Sequence, residues 1–208
     1  MDSHTYQGSM LMIVAPSGTG KSSLVHALLQ NDVSLKLSLS STTRSPRAGE
    51  VDGQDYHFVT EAEFTQQRTR NDFLEWAEVH GHFYGTSRSW LEAQMQAGSD
   101  VILEIDWQGA QQIRQLIPWA QWVFIFPPSF EALEERLRKR GKDDAQTIER
   151  RLAAAHIELQ HAAEADYLVI NDSFEQALAD LTSILLATRL RTPAVMARNP
   201  ALLRRLGV

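Results

Sequence analysis

Near the start of the chain, Ala15-Pro16-Ser17-Gly18-Thr19-Gly20-Lys21-Ser22 has the residue types and spacing that hold a polyphosphate. The segment matches G-x-x-x-x-G-K-[ST] except that Ala15 stands at the first position. In such a loop, backbone N–H groups turn inward onto phosphate oxygens. Gly18 and Gly20 allow the close approach and unusual backbone angles this needs. A helix starting near Lys21 would add the positive end of its dipole. Lys21 would neutralise β/γ-phosphate charge, and the Ser22 hydroxyl would be a ligand for Mg²⁺ carried by the nucleotide. Ala15 costs the motif little, because a strand end needs no positive φ. The ligand this loop implies is a nucleoside triphosphate.

For the loop to work, a strand must deliver it and a helix must leave it. Met10 to Ala15 is apolar and reads as a buried parallel strand, and Ser22 to Gln30 reads as a helix. Leu35 to Leu39 reads as a half-buried strand. Later the same alternation returns. Strands are expected at Val101–Ile105, Trp122–Phe126 and Tyr167–Ile170, with helices at Trp107–Leu116, Phe130–Arg140, Asp144–Glu164 and Phe174–Leu190. Four or five strands alternating with helices imply an α/β fold, a parallel sheet covered on both faces. Glu104 and Asp106 lie two apart at the carboxyl end of one of these strands, on the face where open α/β sheets bind ligands.

Between Ser40 and Gly98 the texture changes. Ser41 to Arg47 reads as a polar, basic loop. Short strands are expected at Tyr56–Val59, Phe73–Val79 and His82–Thr86, and helices at Glu61–Arg70 and Ser87–Ala97. This block reads as a small α+β insertion. The expected division is therefore a core of residues 1–39 and 99–190, an insertion of 40–98 and a tail of 191–208, either loosely docked or forming a short last helix.

Several longer motifs occur in order: Ser40-Ser41-Thr42-Thr43-Arg44-Ser45-Pro46-Arg47-Ala48-Gly49-Glu50, Gly53-Gln54-Asp55-Tyr56, Phe73-Leu74-Glu75-Trp76, Tyr84-Gly85-Thr86, and Leu103-Glu104-Ile105-Asp106-Trp107-Gln108-Gly109. With the phosphate loop before them and Ile170-Asn171-Asp172 after, they resemble the guanylate kinase family, bacterial type, over about residues 10 to 190. The resemblance implies a nucleoside monophosphate kinase fold with an acceptor-binding insertion and a helical lid within about 136–155. It implies transfer of the ATP γ-phosphoryl group to GMP, with Mg²⁺. Arg44 and Arg47 would clamp the acceptor phosphate with fork-shaped hydrogen bonds. Tyr56 and Tyr84 would complete that pocket. Guanine offers N1–H and N2–H₂ donors on one edge, so Glu75 would read it, with Asp106 and Glu104 nearby and Ser40 and Thr86 as hydroxyl contacts. Adenine lacks that donor pair, and such a site can discriminate by ~10⁴ or more. Arg136, Arg140 and Arg151 match the lid arginines, and Asn171 a position that touches the donor adenine. Taken singly, each of these is an ordinary surface or half-buried residue. Their joint order carries the reading.

A second reading is a catalytically inactive guanylate-kinase-like module that binds phosphopeptides through the monophosphate pocket. A third is a kinase for a phosphorylated sugar. Glu75 and the paired tyrosines favour a nucleotide, and Gly20, Lys21 and the lid arginines favour catalysis. A formal charge of −6 argues against a general nucleic-acid binder. The absence of cysteine excludes thiolate metal sites. His57, His80 and His82 are not spaced as a metal site, and His80-Gly81-His82 reads as a surface turn. No stretch approaches the ~18 apolar residues of a membrane span, and Met1 to Ser9 lacks an apolar signal core, so a cytoplasmic location is expected. Self-association into a homo-oligomer is left open.

Overall fold

The computed structural model describes residues 8–139 and 144–207. Five strands form an all-parallel sheet: β1 (Met10–Val14), β2 (Leu35–Ser38), β7 (Asp100–Ile105), β8 (Gln121–Phe126) and β9 (Tyr167–Ile170), in the order β2-β7-β1-β8-β9. The apolar runs of β1, β7 and β8 are buried on both faces, and period-two alternation sorts their side chains. Met10, Met12 and Val14 join Leu103, Trp122 and Phe124 on one face. Leu11, Ile13 and Ala15 join Ile102, Val123 and Ile125 on the other. The first face is covered by α3 (Arg88–Gln96) and α4 (Trp107–Leu116), the second by α1 (Lys21–Asn31) and α7 (Phe174–Arg189). The chain leaves β1 toward β2 and β7 on one side and later fills β8 and β9 on the other. The strand order therefore reverses at β1, and a ligand crevice opens at its carboxyl end.

The insertion is a second, four-stranded sheet of order β4-β3-β6-β5. Its strands are β3 (Ser40–Thr42), β4 (His57–Phe58), β5 (Phe73–Val79) and β6 (His82–Ser87), and α2 (Glu61–Thr69) packs on it through Phe64. A capping box between Thr60 and Glu63 starts α2. Here the sequence reading needs correction. Ser41 and Thr42 belong to a strand rather than a loop, because β6 pairs Ser40 with Thr86 and Thr42 with Tyr84. Three polar residues carry no local strand signal. The expected strand at Tyr56–Val59 shrinks to two residues.

Helices α5 (Phe130–Lys139) and α6 (Ala145–Gln160) pack through Leu133, Leu137, Ile148 and Ala155. The long helix expected to run to Glu164 stops at Gln160, and His161–Glu164 tightens into a 3-10 turn. The tail forms two short helices, α8 (Thr192–Arg198) and α9 (Pro200–Leu206). It is not loosely attached at α8. The buried Asp100 carboxylate accepts from Ser9 N at 2.7 Å, Arg189 Nε at 2.6 Å and Arg198. No described helix is long and apolar enough to cross a membrane.

Candidate active site

One cleft runs along the carboxyl ends of β1 and β7 and under the insertion sheet. Its lining brings together Ala15, Pro16, Ser17, Gly18, Gly20, Lys21 and Ser22 from the loop with Ser40, Arg47, Tyr56, Glu75 and Tyr84 from the insertion. Glu104 and Asp106 complete it from β7 and the turn after it.

The loop is held from beneath. Gly18 and Gly20 have φ of 96° and 93°, where a side chain would be strained. A Cβ on Gly18 would also lie 3.0 Å from Leu133 and Leu137 of α5. Thr19 is fully buried and does not line the cleft; its hydroxyl donates to Pro16 O at 2.8 Å. Asn171 is buried as well. Its Nδ2 donates to Thr19 O at 2.6 Å, so it braces the loop from behind. Arg136 donates to Thr19 O at 3.4 Å and Asn171 O at 2.9 Å, and it likewise sits behind the loop. Lys21 Nζ donates to Ile105 O at 3.1 Å. Ser22 Oγ donates to Glu104 Oε1 at 2.5 Å, which puts two hard oxygens together beside the loop. Among the described residues no group of three or more His, Cys, Asp or Glu could hold a metal ion. A divalent cation here would take its other ligands from phosphate and water, the usual habit of Mg²⁺.

Across the cleft, Glu75 is buried. Its Oε1 accepts from Thr86 Oγ1 at 2.5 Å. Burial raises its pKa to about 7, and the nearby Asp106 adds to the rise while the Thr86 hydrogen bond opposes it. Asp106 caps α4: its Oδ1 accepts from Gly109 N at 2.9 Å and its Oδ2 from Gln108 Nε2 at 3.0 Å. Tyr56 and Tyr84 meet edge to face at 6.1 Å, and burial pushes the Tyr56 hydroxyl up to about 12. Ser40 lines the cleft opposite Thr86 in the β3–β6 register.

The two arginines of the expected clamp differ. Arg47 lines the cleft. Arg44 does not; its guanidinium forks onto Glu50 at 2.9 Å to each oxygen and lies 5.3 Å over the Tyr56 ring. Arg140 falls outside the described residues. Arg151 lies on α6, close enough to His80 to depress that ring's pKa.

Two ionisable cleft residues escaped the sequence reading. His80, read as a surface turn, is exposed but lines the cleft, and its pKa is lowered by partial burial and by Arg151, Arg150 and Arg47. Its φ of 52° marks the turn. Glu158, on α6, also lines the cleft. Burial raises its pKa to about 7; Lys21 opposes the shift and Asp106 adds to it. Nothing in the local sequence separates Glu158 from the other charges of a solvated helix.

Comparison with known proteins agrees with this geometry. The family model described as guanylate kinase matches residues 7–188. The chain is 56% identical over 203 residues to a guanylate kinase of Ralstonia nicotianae, covering 98% of this chain and 92% of that protein. It is 54% identical to a guanylate kinase of Cupriavidus pinatubonensis, covering 98% and 94%. Among solved structures, the guanylate kinase of Anaplasma phagocytophilum superposes with a TM-score of 0.78 at 32% identity, covering 98% of this chain and 97% of that one. A match of that extent, together with a phosphate loop facing a buried carboxyl across one cleft, means that this chain belongs to the guanylate kinase family.

Proposed function

We propose that the protein transfers the γ-phosphoryl group of ATP to GMP, giving ADP and GDP in purine nucleotide metabolism. The observation that carries this reading is Glu75: a buried carboxyl, one oxygen held by Thr86, facing the same cleft as Lys21. A guanine edge supplies the two donors that such a group lacks, and an adenine edge does not.

In the proposed reaction a phosphate oxygen of GMP attacks the γ-phosphorus in line, with no covalent enzyme intermediate. Catalysis is then positioning plus charge neutralisation. Loop N–H groups of Ser17, Gly18, Gly20, Lys21 and Ser22, with the Lys21 ammonium, hold the donor phosphates, while the Thr19 N–H stays on Pro16 O. Arg47, Tyr56 and Tyr84 hold the acceptor phosphate, and Arg44 joins them if the incoming phosphate displaces Glu50 from its fork. Glu75, Asp106, Ser40 and Thr86 orient the base. Ser22, backed by Glu104, would be the protein ligand for a nucleotide-borne Mg²⁺, which would supply charge neutralisation at the transferring phosphate. Arg136, Arg140 and Arg151 are the cations that a closing lid would bring onto the transferring oxygens, excluding water as it closes. The proposed division of labour follows the two sheets: core for ATP, insertion 40–98 for GMP, lid within about 136–155.

Steady-state assays with ATP and a panel of monophosphates test the reading. GMP should be turned over far faster than AMP or UMP. Equal rates would overturn it, and binding of a phosphopeptide without ATP affinity would replace it with the module reading.

A further inference from the structure

Gly109 lies in the first turn of α4 and is buried, with no positive φ. An ordinary right-handed helical backbone gives no conformational reason for glycine, and helix propensity favours alanine there. The reason is spatial. A Cβ at this position would lie 2.5 Å from Glu75 Oε2, 3.0 Å from Glu75 Cδ and 3.4 Å from Asp106 Oδ1. The bare Cα of Gly109 is therefore the surface on which the second carboxylate oxygen of Glu75 rests.

Neither partner can easily move away. The other oxygen of Glu75 is tied to Thr86 at 2.5 Å, and the side chain is surrounded. The helix is tied to β5 on both sides of Gly109. Gln112 Nε2 donates to Trp76 O at 2.8 Å, Trp76 N donates back to Gln112 Oε1 at 3.3 Å, and Gln108 Nε2 donates to Glu78 O at 3.4 Å. Asp106 closes the same turn through Gly109 N. With the α4–β5 seam pinned, an added methyl must push on the carboxylate.

We infer that Gly109 is a specificity-determining positioning residue for the acceptor site, fixing where Glu75 presents its free oxygen to the base. The inference rests on the reading of Glu75 as the group that accepts from guanine. Gly109 touches no substrate itself and acts through Glu75.

The test is a set of variants assayed for GMP, AMP and ATP. Gly109→Ala should raise KM for GMP by about 10- to 100-fold, the weight of one or two misaligned hydrogen bonds to a charged group. KM for ATP should stay unchanged, and the preference for GMP over AMP should narrow. Glu75→Asp shortens the side chain and makes room for the methyl. Gly109→Ala/Glu75→Asp should therefore bind GMP better than the product of the two single effects predicts. An unchanged KM for GMP in Gly109→Ala, or strictly additive losses in the double variant, overturns the inference. Should Gly109→Ala be too unstable to assay, melting temperatures read the same cycle. Glu75→Asp must then restore the fold, and a failure to restore it is equally fatal. Glu75→Gln separates the two ideas. If it leaves the GMP preference intact, the guanine reading itself fails. If it abolishes the preference while Gly109→Ala does not alter it, only the role of Gly109 fails.

Discussion

Between Ala15 and Ser22 the groups offered to a ligand are mostly main chain, supplied by one short segment. Across the cleft the face proposed for the acceptor is made of side chains from β3, β5, β6, the turn after β7 and the loop that carries Arg47 and Tyr56. The loop gains its shape from two glycines and from braces beneath it, Asn171 and Arg136, which do not line the cleft. The acceptor face gains its chemistry from a carboxyl driven out of water, Glu75, and a helix turn shaped around it. A backbone site holds charge of any origin. A buried side-chain site discriminates, because the wrong ligand leaves it unpaired.

The contrast is open to direct attack, and the largest effect should come from Lys21. Lys21→Ala should lower kcat by on the order of 10²–10³, as removal of a single charge-stabilising donor does elsewhere. GMP affinity measured by calorimetry should be retained. A parallel loss of GMP affinity would show that the two faces are not separable.

Next comes the pH behaviour of Glu75. Its pKa in the folded protein is about 7, above the ordinary 4.5, so the folded state binds the extra proton. Stability should therefore fall as pH rises from about 4.5 to 7 and level off above that, by about 3 kcal/mol for a fully buried group. Glu75→Gln removes this share. Its melting temperature should depend less on pH than that of the parent, and at pH 8 it should exceed it. Some slope should persist, since Glu158 is raised in the same way. The same logic predicts that KM for GMP rises below pH 7, where Glu75 is protonated and cannot accept both guanine donors. A flat profile of KM for GMP from pH 6 to 8 would contradict that assignment.

The smallest effect concerns the brace. Asn171→Ala strips Thr19 O of its 2.6 Å donor, leaving the weaker 3.4 Å bond from Arg136. It should cost about 1–3 kcal/mol in thermal or denaturant unfolding. KM for ATP should rise more than KM for GMP. The reverse order would place Asn171 in the acceptor half.

The sequence by itself determined the parallel core, because a strand buried on both faces reads as a near-continuous apolar run, and Met10–Ala15 and Val101–Leu103 are such runs. It also determined the phosphate loop, whose geometry is local: glycines, lysine and hydroxyl lie within eight residues of one another. Only the tertiary structure decided the rest. Ser40–Thr42 became a strand because β6 paired with it. Asn171 and Arg136 proved to brace the loop, and Arg44 to be held by Glu50, since hydrogen bonds spanning more than a hundred residues, or a competing acceptor six residues away, leave no trace in local pattern. Glu158 and His80 reached the cleft only because α6 and the β5–β6 turn border it. Gly109, which appears in the sequence as one small residue in a helix, acquired its meaning when α4 was pinned against β5 with Glu75 between them. Local chemistry is written in spacing. Burial and long-range pairing, which set the pKa of Glu75 and the space beside it, exist only once the chain has packed.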